Sequence, residues 1–175
     1  IKMSNNTNWT IDNTHSEIAF KVRHMMISTV TGHFEDFEAT AKSDGENFNN
    51  ASFEFRAKTH SVNTKNKDRD THLRSDDFFS SEKFPEMKFV SKSFDGEKLV
   101  GDLTIKDVTK EVTLDAELNG VAVDPYGQTK AGFEMNGEIS RKDFGLTWNS
   151  VTEAGSIVVA DKVRMVVDIQ FTKEA

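Results

Sequence analysis

No cysteine occurs in this chain of 175 residues. That absence removes disulfide frameworks, thiol nucleophiles and cysteine metal ligands together, and it is compatible with oxidising and reducing compartments alike. No apolar run approaches the roughly 20 residues that a helical membrane span requires. The opening residues, IKMSNNTNWTI, lack the apolar core of a secretory signal. The chain therefore reads as cytoplasmic, with Met3 as a natural start, or as periplasmic if a signal was removed upstream. Basic excess is missing too: 22 basic residues stand against 29 acidic ones, for a formal net charge of −7. Nucleic acid, which needs a basic surface to displace counterions, is disfavoured, and so is electrostatic docking on an anionic membrane.

What the chain does have is phenylalanine, 14 of them, set in apolar–polar alternation. In SEIAFKVRH, Ile18, Phe20 and Val22 share one parity while Glu17, Lys21 and Arg23 take the other. Phe53 and Phe55 alternate with Glu54 and Arg56, and Leu99, Leu103 and Ile105 with Asp102, Thr104 and Lys106. Val112, Leu114, Ala116 and Leu118 follow the same rule, as do Phe133, Met135 and Ile139, and then Val163 to Phe171. Each segment predicts a half-buried antiparallel strand. SDGEN (43–47), DGEK (95–98) and DPYG (124–127) supply turn chemistry between them, and IKDVTKEV (105–112) is a tighter reversal. The pattern gives eight or nine strands in one all-β domain over 9–173, after an N-terminal tail at 1–8.

Residues 63–84, NTKNKDRDTHLRSDDFFSSEKF, lose the alternation. Asp70 is placed to cap one short helix near residues 70–80, with Leu73 and Phe78 or Phe79 turned inward and Pro85 ending the excursion. TGHFEDF breaks phase between Phe34 and Phe37, which predicts a bulge. Alternating strands can build a sandwich or a barrel. About eight strands closed on themselves leave room for side chains or for one small ligand. Gly101 and Gly137 fall at inward positions, where a bend, a bulge or a close approach is expected. A barrel around an apolar ligand and a fully packed aromatic core both fit these patterns.

Candidate chemistry is sparse. His15, His24 and His33 recur every nine residues, an odd spacing that puts strand neighbours on opposite faces, and HxH, HxxxH and HExxH are absent. No metal site is expected. Asp70, His72, Asp76 and Asp77 could do acid–base work, and Ser75, Ser80 and Ser81 offer hydroxyls. Without a GxSxG elbow or a glycine-rich phosphate loop, they read better as caps and a solvated face. His24 continues the parity of Phe20 and Val22 and is either a hydrogen-bonded core histidine or a polar contact for a ligand head. Arg141, in ISRKDFGLTW, is either part of an ion pair pinning a loop or a partner for an anionic head group.

Several blocks together carry a resemblance: DNTHSEIAFKVRHMM (12–26), TGHFEDFEA (31–39), SVNTKNKDRDTHLRSDDFF (61–79), KFPEMKFVS (83–91), GDLTIKDVTKEVTL (101–114) and RKDFGL (141–146). In this order, from Trp9 to Phe171, the chain resembles the YceI-like family, lipocalin-like proteins that bind polyisoprenoids. One departure is Asp107, where the family commonly has glycine in a turn. The resemblance implies an extended antiparallel β-barrel of about eight strands with a helix beside it. A long isoprenoid chain, quinone or polyprenyl, would be held inside for transport, storage or protection. Many relatives are secreted to the periplasm. With that ligand in view, strand parity nominates Phe20, Val22, His24, Phe53, Phe55, Phe89, Leu103, Ile105, Leu114, Phe133 and Met135 as its contacts, and Arg141 joins them as a partner for an anionic head group. The expected protein is not an enzyme and has no catalytic cofactor. Its partner is an isoprenoid lipid, without nucleic acid or stable membrane insertion, and a homodimer stays open. The alternatives are an enzyme on an apolar substrate, using His24 or His72 with Asp70, and a ligand-free structural barrel.

Overall fold

A computed structural model describes residues 6–148 and 159–174; Met3 lies outside the described residues. The elements run β1 (Asn6–Ile11), β2 (Glu17–His24), β3 (Ser28–Phe34), β4 (Phe37–Asp44), β5 (Asn47–Lys58), β6 (Val62–Asn63), α1 (Lys67–Arg74), β7 (Glu86–Phe94), β8 (Lys98–Ile105), β9 (Val108–Val123), β10 (Thr129–Ser140) and β11 (Val159–Lys173). β1 thus begins inside the stretch that reads as a tail. All strand pairings are antiparallel, and they close a ring of eight in the order β1-β4-β5-β7-β8-β9-β10-β11, which returns to β1. The fold is the eight-stranded barrel that the sequence predicts. The turns at SDGEN, DGEK and DPYG join β4 to β5, β7 to β8 and β9 to β10.

Closure is shared out along β11. Its C-terminal end pairs with β1, Phe171 opposite Ile11, while its first half pairs with β2, Val163 opposite Val22. β2 carries β3, which carries the two-residue β6. One end of the barrel is therefore sealed by β1, and the other is flanked by a small β2–β3–β6 leaf. The phase break in TGHFEDF marks this change and is a correction to the predicted bulge. Phe34 ends β3 and Phe37 opens β4, both buried, and Glu35–Asp36 turn the corner between two strands that do not pair with each other. Real register shifts sit elsewhere, between Gly132 and Phe133 on β10 and between Ser91 and Ser93 on β7.

The sealed half is filled. Phe133, 1% exposed, has ring centroids of Phe48, Phe53 and Phe171 at 5.0, 5.4 and 6.0 Å, at steep or edge-on angles. Edge-to-face pairs at these separations are favourable beyond the area they bury. Trp9 closes the stack at 5.0 Å from Phe48, and its Nε1 donates to the buried Ser43 Oγ at 2.7 Å, so its one polar atom is satisfied. Both inward glycines prove to be close approaches. A Cβ on Gly101 would meet the Phe89 ring, and one on Gly137 would meet the Leu114 side chain. A polar clamp ties this end together. Lys130 reaches Asp12 Oδ2 at 3.1 Å and Thr172 Oγ1 at 2.7 Å, while the Thr14 hydroxyl donates to Asp12 Oδ1 at 2.7 Å. The Thr14 bond most of all, then His15 and Lys130, hold the Asp12 carboxyl well below the usual carboxylate range against the opposing effect of partial burial.

Candidate functional site

The other half is hollow. A cavity of about 470 Å³ lies between β2, β3, the segment around α1, the ends of β8 and β10, and the start of β11. Its wall is short and branched: Ile18, Val22, Val30, Leu103, Ile105, Ile139, Val163 and Val167, with Phe20, Phe34, Phe78 and Phe79 at intervals. A volume of this size is in the range that encloses a drug-sized ligand. The cavity reaches the surface beside the exposed Arg23 on β2 and Asp68 on α1.

Six of the twelve nominated positions border this space: Phe20, Val22, His24, Leu103, Ile105 and Arg141. The other six, Phe53, Phe55, Phe89, Leu114, Phe133 and Met135, face inward and are buried but lie in the filled half. Phe53 stacks on Phe55 at 6.3 Å with planes 3° apart, and Phe55 meets Phe89 at 5.8 Å. These rings pack against one another and do not border the cavity. Parity finds the inward face but not the level along the barrel axis. Lining residues missing from the nominated set include Met165 and Val167 on β11, Leu146 and Trp148. For the β11 pair the signal was present, since their alternation with Arg164 and Asp168 is plain in the sequence.

The segment around α1 forms one side of the cavity. Its helix starts four residues earlier than the sequence suggests. The N-cap is Asn66, whose side chain accepts from Arg69 N at 3.0 Å, and Asp70 sits inside the helix, a correction to its reading as the cap. Asp70 is 9% exposed and turns its Oδ1 onto Thr64, accepting from the backbone N–H at 2.8 Å and from Oγ1 at 2.6 Å. Arg69 holds the same residue from the other side, Nε to Thr64 Oγ1 and a terminal nitrogen to Thr64 O, both at 2.7 Å. Two side chains thereby latch the helix to Thr64, the residue that follows β6. His72 bonds Asp77 at 2.8 Å and stands edge-on to Trp148 at 4.5 Å. It is not paired with Asp70, so the suggested acid–base dyad does not form.

Arg141 is 3% exposed and its guanidinium is committed to carbonyls. Nε donates to Ala160 O at 2.9 Å, one terminal nitrogen to Leu146 O and Trp148 O at 2.6 and 2.7 Å, and the other to Val159 O at 3.1 Å. It pins the loop after β10 to β11 through backbone, where the sequence suggested an ion pair. Burial pulls its affinity for the proton down, with Asp161 opposing. The three evenly spaced histidines go to three places. His15 bonds Asp12 at 2.9 Å, His33 pairs with Glu17, and His24 borders the cavity. Among the described residues no group of three potential ligands could hold a metal ion.

An antiparallel barrel, sealed at one end and with an apolar cavity near the other, defines a lipocalin-like barrel protein. The model of the YceI-like domain matches residues 9–171, and the chain belongs to that family. The UPF0312 protein SAS2572 of Staphylococcus aureus strain MSSA476 is 37% identical over 167 residues, which is 95% of this chain and 98% of that relative. Among solved structures, the Campylobacter jejuni YceI protein superposes with a TM-score of 0.74 at 36% identity, covering 89% of this chain and 91% of that one. A polyisoprenoid binding domain from Saccharophagus degradans, implicated in plant cell wall breakdown, shares the fold with a TM-score of 0.70 at 15% identity, covering 95% and 98%.

Proposed function

We propose that this protein binds the apolar chain of an isoprenoid lipid, a quinone or polyprenyl species, in the cavity beside α1 and carries or shelters it without chemical change. The observation that supports this is the wall itself: aliphatic and phenyl groups surround about 470 Å³. Each methylene removed from water contributes about 0.8 kcal/mol, so a chain of modest length binds with few polar contacts. A fold neighbour described as a polyisoprenoid binding domain is consistent with such cargo. The rim groups support binding over catalysis. His72 is tied to Asp77, Asp70 to Thr64, and Arg141 to four carbonyls. His24 is the exception: it borders the cavity, and its imidazole serves a polar head group. Organic extraction of protein purified from its native cells, followed by mass spectrometry, tests the proposal. A stoichiometric isoprenoid is the expected result. Folded protein that yields no apolar molecule, or that turns one over, overturns it.

A further inference from the structure

The β2–β3 hairpin presents three consecutive apolar residues to solvent, Met25, Met26 and Ile27, at 38%, 58% and 78% exposure. Such a run on a surface is costly unless it has a partner. The backbone makes it more pointed. Met25 and Met26 have φ of 51° and 59°, the left-handed region that two-residue hairpin turns normally fill with Asn and Gly. Ile27 N closes the turn onto His24 O at 3.1 Å, and Arg23 bonds Met26 O at 3.0 Å. A tight, braced turn thus holds large apolar side chains outward, in residue types that are unfavourable for its geometry. The same hairpin forms the cavity rim, since Val22, Arg23, His24 and Val30 line that space.

Charge is uneven below this tip. The outward face of β2 and β11 carries Lys21, Arg23, Lys162 and Arg164, all exposed. Lys21 lies directly opposite Arg164 in register, a like-charge pairing that sheets avoid. Lys21, Lys162 and Arg164 form no ion pair with any described residue, although Glu138 of β10 faces Arg164 in register. Towards the sealed end the same face turns acidic, with Glu17 opposite Asp168. A protein of net charge −7 therefore gathers cations on the β2–β11 side of its cavity mouth, with Asp68 of α1 among the acidic groups on the other side. The whole-chain charge, which argues against anionic membranes, hides this local excess.

We infer that the Met25–Ile27 tip and the cations beneath it dock the cavity mouth on an anionic lipid bilayer. Apolar side chains enter the headgroup region while Lys21, Arg23, Lys162 and Arg164 meet anionic headgroups. Weak apolar and weak electrostatic contributions are each insufficient alone and together give reversible anchoring. The docking depends on the proposed lipid cargo for its purpose but not for its measurement. The opposite hairpin is a built-in comparison: Val123 and Tyr126 are 67% and 90% exposed, but Asp124 is their nearest charge in sequence and Lys130 is bound to Asp12.

Flotation of the purified protein with vesicles of phosphatidylcholine, and of equal parts phosphatidylcholine and phosphatidylglycerol, tests the inference. Wild type is expected to float with the mixed vesicles at low salt and to be released by high salt. Ile27→Asp is expected to stay at the bottom. Lys21→Glu and Arg164→Glu each weaken binding at least about fivefold, as expected for one surface cation near anionic lipid. Tyr126→Asp floats as wild type does. Met26→Asn, which suits the turn and cannot be faulted for misfolding, also loses binding. Wild type that ignores both vesicles overturns the docking, as do tip variants that float like wild type. Flotation without extractable isoprenoid sinks the functional proposal alone, and extractable isoprenoid without flotation sinks the docking alone.

Discussion

Replacing Phe133 by alanine separates the filled half of the barrel from the hollow half. Phe133 is 1% exposed and touches Phe48, Phe53, Phe94 and Phe171, with ring centroids between 5.0 and 6.4 Å. No backbone is free to collapse into the gap, because ladders on both sides fix β10 to β9 and β11. Truncating a buried phenylalanine costs ~3–5 kcal/mol once the residual void is included. At about 2–4 °C per kcal/mol for a chain of this size, the midpoint of thermal unfolding falls by roughly 6–20 °C. Ligand retention per folded molecule, read by extraction at a temperature where the variant is folded, does not change. Calorimetry and mass spectrometry of one preparation check both. A midpoint lowered by less than about 2 °C refutes the packing argument, since it leaves no room for a transfer loss and a void together. Normal stability with ligand lost would place the cargo among these rings.

The remaining expectations concern the cavity, its latch and the sealed end. Val163→Phe points a ring into the cavity from β11, so extracted ligand falls at least about tenfold while stability holds; retained ligand would show that the chain lies elsewhere. Asp70→Ala leaves the Thr64 N–H and hydroxyl without their buried acceptor, at ~1–3 kcal/mol or about 2–12 °C in the unfolding midpoint. An unchanged midpoint with abolished binding would make Asp70 a ligand group and not a latch. Asp12 has a depressed folded pKa, so its contribution is complete above the unfolded value near ~3.9 and is lost as pH falls from there towards the folded one. Asp12→Asn is therefore expected to lower the midpoint at neutral pH, with the deficit closing in acid; a deficit independent of pH contradicts the clamp.

The strands were legible because their signal is local. In β10, the alternation of Ala131, Phe133, Met135 and Ile139 with Glu134 and Glu138 reports a buried face directly, and every one of the four is buried. The helix was legible in kind but not in bounds. Asn66 and Asp70 are both good caps, and only Thr64, two residues upstream of the helix cap and held by Asp70, decides between them. The fate of Arg141 was not legible at all, because its partners are carbonyls of Leu146, Trp148, Val159 and Ala160, which any residue type would supply. Of the exposed tip, Met25 and Met26 were readable as apolar residues at the end of a motif, but not as a turn with positive φ.

The level of the cavity along the barrel was the least accessible feature, and its cause is volume. An inward phenylalanine and an inward valine give the same parity, yet one fills the axis of an eight-stranded barrel and the other leaves it empty. Where several strands bring Phe to one level, as Phe48, Phe53, Phe94, Phe133 and Phe171 do, the interior closes. Where Val22, Val30, Val163 and Val167 meet, it stays open. Inward phenylalanines from facing strands at one level therefore mark the plug, and the level rich in branched aliphatic residues is where the cavity lies. The two need each other. A hollow deprives the side chains that line it of packing contacts. The dense rings and the Asp12–Lys130 clamp at the sealed end offset that loss, and the proposed apolar guest would restore contacts at the other.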